Sequence, residues 1–188
     1  MKVQTKNILL ATLLFASLIS CKSKISEEVI ESYKTENSFY EKTLIEKSVS
    51  KEDLLQETED NYKQLISEID PAKKTAFDKD KVFESEFESK KLCLIELAEK
   101  SQSNILHTNT TFELGNRFIE SLSKGEIEKE EEAEKQWEDF RLNFSQLQAQ
   151  ADSIENHITD NKSQLYDMYK NALNIYGLKP IIPSKNRK

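Results

Sequence analysis

The residues of this chain able to do chemistry are two cysteines, two histidines and a dense set of carboxylates. Cys21 sits directly after Ser20, at the point where an apolar run stops and a charged chain begins. Cys93 lies between Leu92 and Leu94 in "KKLCLIEL", where a small buried thiol is the expected role. His107 and His157 are fifty positions apart. An antiparallel pairing about Gly125 would set His107 opposite residue 143 or so, so the two histidines are not expected to share a metal. The carboxylates crowd into "GEIEKEEEAEKQWEDF", where Glu126, Glu128, Glu130, Glu131 and Glu132 would complement the positive end of a helix dipole. A calcium site would instead need a turn that wraps oxygens around the ion. The chain has no glycine-rich phosphate loop, no zinc-type spacing and no serine elbow. With no nucleophile, base and stabiliser to assemble, we expect neither an enzyme nor a bound metal or cofactor.

Two chemical features remain, one at each end. Lys2 and Lys6 precede an uncharged, mostly apolar run from Ile8 to Ile19, which is too short to span a bilayer of about 30 Å as a helix. That layout is a secretory leader, expected over residues 1–20 and set aside from the fold. Leu18-Ile19-Ser20-Cys21 closes it and resembles the bacterial lipobox. The resemblance implies cleavage between Ser20 and Cys21, a diacylglyceryl group on the Cys21 thiol, and a fatty acyl chain such as palmitate on the new amino group. Two or three chains at about 0.8 kcal/mol per buried methylene are enough for stable anchoring. Residues 21–25 would be the lipidated tether, with Lys22 and Lys24 beside the headgroups. With Cys21 acylated, Cys93 has no partner for an intramolecular disulfide.

At the other end, residues 178–188 carry Lys179, Lys185, Arg187 and Lys188 with no acidic neighbour, and Pro180 and Pro183 keep them out of helix. This reads as a flexible basic tail whose four cations are candidate contacts for a polyanion. The body between has the opposite balance. Without Lys2 and Lys6, the 27 basic residues become 25 against 34 acidic ones, a net charge of about −9. That excludes nucleic acid as the expected partner, since phosphate neutralisation needs a basic surface.

Three glycines and three prolines leave little material for turns, as in long helices. Asp70-Pro71, Gly125 and Gly177 with Pro180 divide residues 26–177 into segments of about 26–69, 71–124 and 126–176. In the third, Ala133, Trp137, Phe140, Phe144, Leu147, Ala151, Ile154, Ile158, Asn161, Leu165, Tyr169, Ala172 and Tyr176 recur by threes and fours, which predicts a coiled-coil-like helix. The second repeats the pattern from Ala76 and Phe83 to Ile119 and Leu122, and its "TNTT" at 108–111 predicts a kink or fraying. The first predicts a bend at 48–50, with Ser50 capping a new helix and Asp53 three residues on. Short connections force neighbours antiparallel. The expected fold is therefore all-α, an elongated antiparallel three-helix bundle; an extended hairpin that dimerises would bury the same stripes between chains.

A lipobox-like cysteine, a short tether, about 150 residues of charged helices and a C-terminal "YKNALNIYGL" are together similar to the cell-wall-binding helical lipoproteins of the YkyA type. The resemblance implies a non-enzymatic lipoprotein of the cell envelope, anchored on the extracytoplasmic side of the cell membrane or outer membrane. Such a protein would bind cell-wall polymer or act as a spacer. The alternative is an adaptor or chaperone-like lipoprotein gripping another secreted or envelope protein. Asp152-Ser153-Ile154 also resembles the Asp-Ser/Thr-aliphatic O-glycosylation site of Bacteroidetes.

Overall fold

The computed structural model describes residues 25–178, so the leader, Ser20, Cys21 and the tail cations Lys179, Lys185, Arg187 and Lys188 lie outside the described residues. The fold is an all-α helical bundle. Among the described residues five helices occur in order: α1 Glu27–Glu46, α2 Lys51–Glu68, α3 Lys74–Phe77, α4 Lys81–Ser123 and α5 Glu130–Tyr176. No helix among the described residues is long and apolar enough to cross a membrane.

The breaks have local causes. α1 ends at Glu46, and Ser50 caps α2 by accepting the Asp53 N–H at 3.2 Å, as the pattern predicted. The Val49 N–H donates to Ser101 Oγ at 3.1 Å, so the bend is tied down rather than loose. Gly125 has φ 71°. Its N–H reaches the Leu122 carbonyl and the Glu126 N–H reaches that of Ser121, both at 3.0 Å, a Schellman stop for α4.

The second long helix starts about ten residues later than expected. Pro71 opens a turn instead of a helix, because the Asp70 side chain accepts the Ala72 N–H at 2.9 Å. The short α3 follows and places Phe77 in the core at 4% exposure, where the spacing had suggested Ala76, which is exposed. Asp80 then caps α4 by accepting the Phe83 N–H at 3.0 Å. The expected kink at 108–111 does not occur, and α4 is continuous from Lys81 to Ser123. Thr108 is buried and donates its hydroxyl to the Asn104 carbonyl one turn back at 2.9 Å, so a poor helix former is held by tertiary burial and a local bond. α5 begins at Glu130 rather than 126, leaving Ile127 in the loop to pack on the core.

The described residues form two compact units, one from 25–41 with 110–144 and the other from 42–109 with 145–178. In the first, Ile25, Ile30 and Tyr33 of the N-terminal segment meet Phe118, Ile119 and Leu122 of α4 and Ala133 and Trp137 of α5. Tyr33 stacks on Trp137 with centroids 4.7 Å apart, and Tyr40 stacks on Phe144 at 4.7 Å. Asn37 is wholly buried; its Nδ2 donates to the Phe112 carbonyl and to Asn116 Oδ1, both at 3.1 Å. Gly115 leaves room for it, since a Cβ there would lie 2.6 Å from Asn37 Oδ1.

In the second unit, Leu54, Phe87, Leu94, Leu97, Ala98, Ile158 and Leu165 form one cluster, and Leu65, Ile69, Phe77 and Ala172 another. Tyr62 stacks on Phe87 at 4.5 Å and helps join the two clusters. Asn104 Nδ2 donates to the Leu147 carbonyl at 3.1 Å. That bond fixes α4 and α5 antiparallel here, close to the register expected about Gly125.

Candidate functional site: a groove between α2 and α5

Two places concentrate polar groups on a buried frame, and they differ in what they leave free. In the first unit, Glu36 of α1 receives Arg141 Nε at 2.8 Å and Nη2 at 3.1 Å, with Trp137 Nε1 at 2.8 Å. Glu134 receives Arg141 Nη1 at 2.6 Å and the Tyr33 hydroxyl. Burial works to raise the Glu36 carboxyl, but the bonds from Arg141 and Trp137 outweigh it and hold it below the usual carboxylate value. Glu134 is lowered by its bonds from Tyr33 and Arg141. Burial and the Glu134 carboxylate push the Tyr33 phenol well up, so it acts as a donor. Both carboxylates are matched by bonds within the unit. This is a tie between α1 and α5, not a poised acid or base.

The second place is a groove in the second unit with a volume of about 300 Å³. Glu57, Asn61, Gln64 and Glu68 come three and four apart along α2 and so form one ridge. Lys162, Tyr166, Lys170 and Leu173 of α5 form the facing wall. Leu65 and Leu165 make the floor, 2% and 4% exposed, and Tyr166 is left 68% exposed at the edge. Lys162 pairs with Glu57 across the groove. Tyr169 also lines it, with its hydroxyl buried and without a hydrogen-bond partner among the described residues; burial pushes that phenol up to about 12. An apolar floor between amphipathic rims suits a segment with branched side chains and a few charges.

The other candidates from the sequence stay apart. Cys93 is free and half-buried against the Phe87–Leu94 cluster, as a packing thiol. His157 Nδ1 lies 2.6 Å from the Ser153 carbonyl of its own helix, whereas His107 borders a shallow hollow with Asn104 and Gln150. Among the described residues no group of three or more His, Cys, Asp or Glu side chains could hold a metal. Ser153 is exposed on continuous α5, and its neighbour Asp152 pairs with Lys47. Trp137 is a core residue at 0% exposure. The Glu36–Arg141 tie and the groove were both missed by the sequence reading. An i, i+4 pair such as Trp137 and Arg141 signals that two side chains share a helix face, but not that a carboxylate faces them from another segment.

Compared with known proteins, the chain matches no protein-family model, no curated protein and no solved structure.

Proposed function

We propose that this chain is a lipid-anchored bacterial envelope protein that works by binding rather than by catalysis. The observation that carries this reading is Leu18-Ile19-Ser20-Cys21 at the end of a short apolar run headed by Lys2 and Lys6. Cys21 carries the lipid and Ser20–Cys21 is the cleavage point. The helical body, with Ile25 already in its core, starts four residues beyond the anchor and stands on the extracytoplasmic side of the cell membrane or outer membrane. Lys179, Lys185, Arg187 and Lys188 contact cell-wall polymer, and the body spaces that contact from the bilayer. A net negative body keeps the rest of the surface off polyanions, which makes the attachment local and salt-sensitive.

The groove between α2 and α5 favours a second reading, an adaptor that grips a segment of another envelope protein. Two measurements separate the claims. Cys21→Ser abolishes labelling by radioactive fatty acid and releases the protein from membranes; continued labelling overturns the anchor. Sedimentation of the Cys21→Ser protein with isolated sacculi falls as salt rises, and falls again when residues 179–188 are removed. Absence of sedimentation at low salt overturns wall binding and leaves the adaptor.

A further inference from the structure

We propose that the hollow between α4 and α5 in the second unit binds an acidic saccharide unit, a sugar ring that carries a carboxylate. The inference does not depend on the lipid anchor or on the tail cations, and it concerns a different place from the groove between α2 and α5. The hollow has a volume of about 470 Å³, room for one small ligand. Lys100, Asn104 and His107 come four and three apart on α4 and so share one wall. Gln150 of α5 stands across from them, and Ala149 and Ile154 supply apolar surface.

Charge is the first argument. None of the residues lining the hollow is acidic, in a chain with 34 acidic residues. The carboxylates next to it in sequence are held elsewhere: Glu99 pairs with Lys51 at 2.6 Å, and Asp152 pairs with Lys47. Lys100 makes no ion pair among the described residues, so its ammonium is left for an anion.

Asn104 adds a second demand. It is 6% exposed, its Nδ2 is committed to the Leu147 carbonyl, and its Oδ1 is buried without a partner among the described residues. Such an acceptor calls for a donor, which a hydroxyl entering the hollow supplies. A simple carboxylate brings charge but nothing to donate and no face for Ala149 and Ile154. A carboxylated sugar brings all three: a hydroxyl for Asn104, an anion for Lys100, and a ring face of C–H groups for the apolar pair. Gln150 and His107 meet further ring hydroxyls, since each can donate and accept.

Nuclear magnetic resonance of the full-length Cys21→Ser protein tests this, with glucuronate as the probe. Glucuronate shifts the side-chain amide resonances of Asn104 and Gln150 saturably, while those of Asn37 in the first unit stay in place. Glucose lacks the carboxylate and acetate lacks the ring, so each binds about ten-fold more weakly. Lys100→Gln, a change at an exposed position, lowers glucuronate affinity about ten-fold and leaves glucose affinity unchanged. Unshifted Asn104 and Gln150 overturn the proposal. Acetate matching glucuronate also overturns it, by reducing the hollow to a lysine that attracts any anion. So does a glutamate tripeptide that competes as well as glucuronate, because the occupant is then an acidic peptide.

Discussion

Residues 25–41 with 110–144 and residues 42–109 with 145–178 draw on the same three stretches of chain, yet they place charge differently. The first unit ties charge to its core: part-exposed Arg141, Glu36 and Glu134 are bonded to one another and to Tyr33 and Trp137 of the core. The second keeps charge at the rim, where Lys51 pairs with Glu99, Lys91 with Glu59 and Lys162 with Glu57 between helices. Its interior is held by stacked rings and aliphatics, with Ser101, Asn104 and Thr108 as small polar insertions. Rim pairs of that exposure contribute little, about 0–1 kcal/mol each, whereas a bonded, part-buried tie is costly to break. The first unit should therefore respond to pH and to single substitutions in ways the second does not.

The largest expected effect comes from Trp137→Ala. Trp137 is fully buried between Tyr33, Phe118 and Phe140 and donates to Glu36. Its removal costs about 3–5 kcal/mol and takes one hydrogen bond from Glu36. Hydrogen exchange localises the damage, since amides of 110–144 should lose protection first. If amides of 81–109 lose protection equally, the two units unfold as one and the comparison fails.

Gly115→Ala is the next step down. A Cβ at 2.6 Å from Asn37 Oδ1 forces a wholly buried side chain to shift, at about 1–3 kcal/mol. The cost should shrink when Asn37→Ala is present, because the clash then disappears. A double-mutant cycle by urea unfolding reads that coupling directly, and strict additivity would mean that Gly115 serves the helix in another way.

Much of this fold was legible in the chain because one signal dominates it. Every position of the 133–176 repeat proved buried or half-buried, including Asn161, whose Nδ2 bonds back to the His157 carbonyl at 2.8 Å. Ser50 and Gly125 were readable because a cap and a left-handed stop each need a particular residue type. Asp70-Pro71 misled because the same dipeptide starts turns as well as helices, and only the place of Phe77 in the core decides between them. Asn37 and Asn104 were hidden, since a polar residue on a stripe looks like a gap until its partner on another segment is known. The groove was hidden for the same reason. Glu57, Asn61, Gln64 and Glu68 look like a solvated face until Lys162 and Tyr166 of α5 are set opposite them.

The smallest effect sharpens the comparison most, because it depends on charge. Glu36 and Glu134 are both held below their ordinary carboxylate value of 4.5 in the folded chain. A depressed carboxyl adds stability that is present above the unfolded value and fades as pH falls through the folded one. Arg141→Leu removes that contribution at neutral pH. Arg141 and Glu36 side chains remain 36% and 23% exposed, so solvent softens the loss to about 1–2 kcal/mol. As pH falls through the depressed folded values of the two carboxyls, the difference between native chain and variant should close. The chain's single tryptophan lies in the first unit, so its fluorescence in urea follows that unit while far-UV circular dichroism follows all the helices. A gap that stays the same size from pH 7 down to the acid limit of the folded state would show that Arg141 acts through its packed methylenes and not through its charge.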